Sequence, residues 1–280
     1  MNFTEKLAKA AEDNNSIVCA GFDPDADKIP LKGKPGDVIP KFFSGLLDAF
    51  EAEDAKPGII KPNAAFYEQY GIDGIKAMKK VIDDCKKRGY LVILDAKRAD
   101  IGNTSKAYAK AVFDTFGVDA VTVAPYMGSD SVQPFIEYSG EGRGVYILNR
   151  TSNKGAVDMQ DLVVNGKPLY METARKILEW HRPGTGAVVG ATYPGELEAI
   201  SKFFVSSGKK VPLLIPGVGA QGGSASDVIN ALNKSGNDIK IHRINSSRGI
   251  IFAYLDKKTD DFAGAAAKAV KELNREINLR

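Results

Sequence analysis

YLVILDAKRAD, residues 90–100, runs from an apolar, β-branched stretch straight into Asp95, Lys97 and Asp100. Such a run suits a strand buried on both faces, and charge placed directly beyond it belongs to the strand's C-terminal tip rather than to a helix's wet face. In an extended chain Asp95 and Lys97 point to the same side, because side chains alternate with a period of two. Working outward, seven further short runs of the same kind recur: Ile17 to Phe22, Gly58 to Lys61, Ala120 to Ala124, Gly144 to Leu148, Gly186 to Gly190, Val211 to Ile215 and Ile239 to Ile244. Tyr90 to Leu94 is the third of the eight in chain order. Segments of helical period separate them. Val38, Phe42, Leu46 and Phe50 share one stripe, and Ile75, Met78, Ile82 and Cys85 another, with Gly89 placed to stop that helix. Pro194 can open a further helix and Gly208 close it. Eight βα units with strand starts roughly 25 to 40 residues apart predict the α/β class and a single (β/α)8 TIM barrel over residues 1–280. A doubly wound open sheet is the rival, and the strand count favours the barrel. The longest irregular piece, Asn149 to Pro168, follows the fifth strand and is a candidate active-site loop, with a plain surface insertion as the alternative.

Composition excludes several classes. Apolar residues make up 44% and charged residues 26% of the 280 residues, too apolar for disorder and enough for a core that needs no disulfide or metal. The 38 Lys and Arg against 35 Asp and Glu give +3, too small a charge for a nucleic-acid footprint. Cys19 and Cys85 lack CxxC spacing and read as buried free thiols in a reducing compartment. The start MNFTEKLAKAAEDNN has no apolar signal core, and no stretch of about 18 apolar residues occurs, so a cytoplasmic protein without a membrane span is expected.

Two more strands end in charge as the third does, the first at Asp23 in GFDPD and the second at Lys61 in GIIKPN. At the C-terminal mouth of a barrel, where barrel enzymes keep their active sites, Asp23, Lys61, Asp95 and Lys97 would form an alternating network that keeps both ammonium groups protonated. A set of salt bridges closing the mouth is the bland alternative. The seventh strand runs into IPGVGAQGG and the eighth into NSSRG. Loops after strands seven and eight commonly make a barrel's phosphate site, and Arg248 adds a donor fork that matches phosphate oxygens. His181 and His242 are too few for a metal triad, Ser246 and Ser247 lack a nucleophile elbow, and Trp180 reads as packing.

DAKRADIGNT (95–104), KPNAAFYEQYG (61–71), GFDPD (21–25) and PGVGAQGG (216–223) resemble orotidine 5′-phosphate decarboxylase, and its longer-chain bacterial subgroup most of all. The resemblance covers nearly the whole chain. It implies a homodimeric barrel that converts orotidine 5′-monophosphate (OMP) to UMP and carbon dioxide with no cofactor or metal, the last step of de novo pyrimidine synthesis. By motif, Lys97 is the implied proton donor to pyrimidine C6, with Asp95 beside the departing carboxylate and Lys61 in the charged network. Asp23 matches a ribose contact. Asp100, Ile101 and Thr104 match the part that reaches into the partner subunit's site. Thr151 and Ser152, in NRTSNKG, resemble the loop that closes over the base, and Gln221 and Arg248 match the phosphate grip. The same motifs put Asn63, Gly219 and Gly249 among the substrate contacts. Ser247 stands before Arg248 where many relatives have Gly. A related barrel decarboxylase or aldolase on sugar phosphates shares D-x-K-x-x-D but uses a divalent metal, which wants an acidic ligand where this chain has Lys61. A noncatalytic nucleotide-binding protein would explain the phosphate loop but not the Asp and Lys network.

Overall fold

The structure, a computed structural model, describes residues 1–219 and 222–279. Eight parallel strands are Val18–Phe22 (β1), Ile59–Pro62 (β2), Ile93–Arg98 (β3), Ala120–Val123 (β4), Gly144–Arg150 (β5), Thr185–Val189 (β6), Leu213–Ile215 (β7) and Arg243–Ser246 (β8). They follow one another as β2-β1-β8-β7-β6-β5-β4-β3 in one sheet. The bridges Ile60–Val92 and Asn63–Asp95 join β2 to β3 and bring the sheet round into a TIM barrel.

The barrel interior is filled from below. Phe3 and Leu7 of the helix Phe3–Asp13 join Cys19, Ile59, Ile93, Ala120, Tyr146, Val188 and Leu214 in one buried cluster. That helix starts at a capping box, in which Asn2 accepts from the Glu5 amide and Glu5 accepts from the Asn2 amide, both at 3.0 Å. Phe3 meets the Tyr146 ring edge to face at 6.0 Å. Gly144 makes the room: a Cβ there would come within 2.1 Å of the Phe3 ring. The plug therefore occupies the N-terminal end of the barrel and leaves the C-terminal end open.

Outside the sheet, Val38, Phe42, Leu46 and Phe50 of the helix Pro35–Ala52 are all buried, as their spacing predicts. Each such side chain contributes roughly 1.5–3 kcal/mol on burial. In the helix Gly71–Lys87 the predicted stripe holds for Met78, Ile82 and Cys85, but Ile75 is 40% exposed, one residue off the buried line through Gly74, Ala77 and Met78. Gly89 at φ 83° ends that helix, Pro194 opens the helix Pro194–Ser206, and Gly208 at φ 71° follows it. Both cysteines are buried and free, and Trp180 packs against the core.

Three local readings are corrected. Ile239–Ile241 forms a 3-10 turn rather than the start of the eighth strand, because the Asp238 carboxylate accepts from the Lys240 amide and holds the chain in a turn until Arg243. The segment Asn149 to Pro168 is not irregular: it finishes β5, makes helical turns at Lys154–Ala156 and Val157–Gln160, and closes an antiparallel hairpin, Val163–Val164 with Lys167–Pro168. The third strand runs through the charged motif to Arg98 instead of ending at Leu94.

Candidate active site

All strands deliver their C-terminal ends to one cavity of about 690 Å³. On one wall, Lys61 of β2, Asp95 and Lys97 of β3, and Thr122 of β4 meet. Asp95 Oδ2 lies 3.2 Å from Lys61 Nζ and Oδ1 lies 2.7 Å from Lys97 Nζ. The Thr122 hydroxyl donates to Asp95 Oδ1 at 2.8 Å and accepts from the Lys97 amide at 3.0 Å. One carboxylate thus holds two ammonium groups in a row.

The two lysines differ in setting. Lys61 is 3% exposed, whereas the Lys97 side chain is 49% exposed and faces the open cavity. Burial alone would push the Lys61 pKa down, but the negative charges of Asp95 and Asp23 outweigh it and hold the pKa above its usual value. Burial likewise opposes ionisation of Asp95, yet Lys61, Lys97 and the Thr122 hydroxyl hold its carboxyl well below the usual range. Lys61 and Asp95 are therefore both charged throughout the neutral pH range.

Lys97 reaches this position by a backbone the sequence does not announce. Its φ is +44°, in the left-handed region, and the register of β3 against β4 shifts between Leu94 and Arg98. A non-glycine residue held there costs of order 1–3 kcal/mol and persists only where its surroundings enforce it. Here the Thr122 hydroxyl fixes its amide and Asp95 its ammonium. Asp95 and Lys97 do converge, but through this irregularity rather than through simple strand alternation.

Asp23 lies just past β1 and lines the same cavity. No lysine comes within ion-pair range of it among the described residues, so it acts on Lys61 at longer range and is not the fourth link of the predicted chain. Its buried Oδ1 has no hydrogen-bond partner among the described residues. Asn63 also lines the cavity, and its side chain accepts from the Ala65 amide at 3.2 Å.

The opposite wall comes from the ends of β7 and β8. Pro216, Gly217 and Val218 line it together with Ser247 and Arg248. The loop after β7 is closed by hydrogen bonds from the Gly219 amide to the Gly223 carbonyl at 2.9 Å and from the Gly223 amide to the Gly217 carbonyl at 3.0 Å. Gly223 is needed there, since a Cβ would lie 2.7 Å from the Gly217 carbonyl oxygen. Thr151 and Ser152 form the rim after β5. Gln160 pins Thr151, accepting from its amide at 2.9 Å and donating to its hydroxyl at 2.7 Å.

Five of the predicted residues do not meet the others here. Gly219 and Gly249 line a separate cavity of about 260 Å³ behind the β7 and β8 loops. Gln221 lies outside the described residues. Asp100, Ile101 and Thr104 lie away from the cavity lining, and Ile101 is 50% exposed. The helix that follows begins at Gly102 with Ile101 as its cap. Among the described residues no group of three His, Cys, Asp or Glu side chains could hold a metal ion, and no helix is long and apolar enough to cross a membrane.

Residues 18–260 match the family model described as orotidine 5′-phosphate decarboxylase / HUMPS family. The chain belongs to this family. Relatives named orotidine 5′-phosphate decarboxylase are 42% identical in Cupriavidus necator, over 99% of this chain and 98% of the relative, and 41% identical in Dehalococcoides mccartyi, over 99% and 98%. Among solved structures, the OMP decarboxylase of Leishmania donovani superposes with a TM-score of 0.79 at 32% identity over the whole of both chains. The UMP synthase of the same organism gives 0.80 at 34%, and this chain spans 57% of its length. The barrel and the family resemblance are thus borne out together.

Sequence reasoning missed Thr122, Gln160 and Asn245, all of which line the cavity. Thr122 carried a signal, being a polar residue inside the apolar run Ala120 to Ala124, whereas Asn245 lies just past the run read as the eighth strand and Gln160 depends on the fold of the rim segment alone.

Proposed function

We propose that the chain is a cofactor-free OMP decarboxylase acting as a cytoplasmic homodimer, with residues 1–280 forming one barrel domain. The observation that carries this reading is the row Lys61, Asp95, Lys97 in the open end of the barrel, with Lys97 facing the cavity. Loss of carbon dioxide from C6 leaves the bonding electron pair in the plane of the pyrimidine ring, where the ring cannot delocalise it. Stabilisation is then electrostatic, and an ammonium already fixed by Asp95 and Thr122 acts on charge that develops only in the transition state. Lys97 then gives a proton to C6, carbon dioxide departs, UMP is released and the neutral amine regains a proton from water. Asp95 also lies next to where the substrate carboxylate sits, which favours its departure.

In this reading Asp23 and Asn63 bind the ribose side and Thr151 and Ser152 cover the base. Arg248 grips the phosphate together with Gly219, Gln221 and Gly249 of the adjoining loops. Asp100, Ile101 and Thr104 complete the site of the other protomer, which agrees with the exposure of Ile101 and Thr104 and with all three lying off the lining of their own cavity. Pure protein in EDTA with OMP, followed by pyrimidine absorbance, tests the activity: disappearance of OMP with formation of UMP supports it, and dependence on added divalent metal contradicts it. Mixing inactive Lys97→Ala and Asp100→Ala dimers tests the shared site, because random exchange restores about one quarter of wild-type sites when Asp100 acts across the interface. Activity that stays at parental levels after verified exchange contradicts sharing.

A further inference from the structure

We infer that Lys28 is a second cation of the phosphate subsite, acting opposite Arg248; this rests on the decarboxylase reading above. Among the described residues the cavity is lined by four cations, Lys28, Lys61, Lys97 and Arg248, and by three carboxylates. Lys61 and Lys97 are both committed to Asp95, at 3.2 and 2.7 Å. A phosphate monoester carries about −1.5 to −2 near pH 7, so a single guanidinium leaves much of it unbalanced. Lys28 is the remaining cation of the lining.

Its place fits that role. β1 pairs with β8, and the end of β1 approaches the loop after β8 so closely that a Cβ on Gly21 would fall 1.9 Å from Ser247 Oγ. Arg248 and Phe252 are one helical turn apart, with the Phe252 amide donating to the Arg248 carbonyl at 3.0 Å, and both line the cavity. Lys28 Nζ sits 5.6 Å from the centroid of the Phe252 ring, which brings it to the Arg248 end of the cavity. The Lys28 backbone is tied down on both sides: the Tyr254 hydroxyl donates to its carbonyl, and the Tyr70 hydroxyl accepts from the Ala26 amide at 2.9 Å.

Asp25, three residues earlier, holds Lys28 Nζ at 2.6 Å. That pair is largely solvent-exposed and therefore weak. A lysine's flexible stem lets the ammonium keep Asp25 as a neighbour while turning a free N–H toward a phosphate oxygen. Asp25 positions Lys28, and Lys28 touches the ligand.

Titration calorimetry with the product UMP and with uridine reads this directly, without turnover. In Lys28→Gln, UMP affinity falls about tenfold, the size of one charge-assisted hydrogen bond, while uridine affinity stays within about twofold. Lys28→Arg keeps most of the UMP affinity. The double variant Asp25→Asn/Lys28→Gln stays as weak for UMP as Lys28→Gln. Equal losses on UMP and uridine, no loss on either, or recovery in the double variant each overturn the inference, the last because Lys28 would then serve only to neutralise Asp25. Wild-type protein that binds UMP no better than uridine and leaves OMP untouched would instead refute the decarboxylase reading itself.

Discussion

The barrel buries a cation at each end, and the two are treated differently. At the C-terminal mouth Lys61 is 3% exposed, paired with Asp95, and held protonated by that opposite charge. At the closed end Arg243 is fully buried and, among the described residues, its side chain donates only to carbonyl oxygens: those of Leu7 and His242, each at 2.6 Å, and Lys240 at 3.0 Å. Burial pushes its pKa down to about 10, with Tyr146 and Cys19 offsetting only part of the effect. Dipoles suffice to tolerate a charge whose task is to tie the N-terminal helix to the sheet. The charge that lines the open cavity carries its own counter-ion.

The comparison can be broken at either end. The largest expected effect is from Asp95→Asn, which strips the counter-ion from Lys61 and Lys97 together. We expect turnover to fall by about 10³-fold, as for loss of a preorganised electrostatic group, and stability by about 3–5 kcal/mol, because a buried ammonium is left unpaired. Kinetics and urea unfolding would read both, and wild-type-like turnover would contradict the role of the row. Arg243→Met should cost about 2–3 kcal/mol through its orphaned carbonyls while leaving kcat per folded molecule unchanged. A loss of kcat without loss of stability would place Arg243 in the chemistry.

The smallest effect sharpens the closed end further. Burial and then the neighbouring Arg243 charge push His242 from 6.5 to about 3, and its Nδ1 accepts from the Leu213 amide at 3.0 Å. The unfolded chain therefore takes up this proton first as pH falls. His242 supports the fold fully above about pH 6.5, and that support is lost between there and about pH 3. Urea midpoints at pH 7 and 5 should differ less in His242→Gln than in wild type. An unchanged difference would assign the acid sensitivity to other groups.

These two ends were unequally legible in the sequence. The mouth was readable because DAKRAD, GFDPD and GIIKPN put charge directly after apolar runs, a pattern with few structural outcomes in a parallel barrel. The left-handed Lys97 and the link through Thr122 were not, since they arise from a register shift that no local propensity encodes. Arg243 and His242 were harder still. In the sequence they sit inside what reads as one continuous strand, and only the Asp238 turn, which delays that strand to Arg243, places them under the plug. The rim segment after β5 was visible as a long connection, but not its hairpin, because two-residue strands carry no periodicity.

The central claim is that Lys97 supplies the charge and the proton for the reaction while contributing little to holding the ligand. Lys97→Ala is the most direct measurement, with OMP turnover and UMP binding determined on the same folded preparation. The account predicts turnover below detection alongside UMP affinity within about tenfold of wild type, since the Arg248 end of the site is untouched. Near-normal kcat in that variant would contradict it.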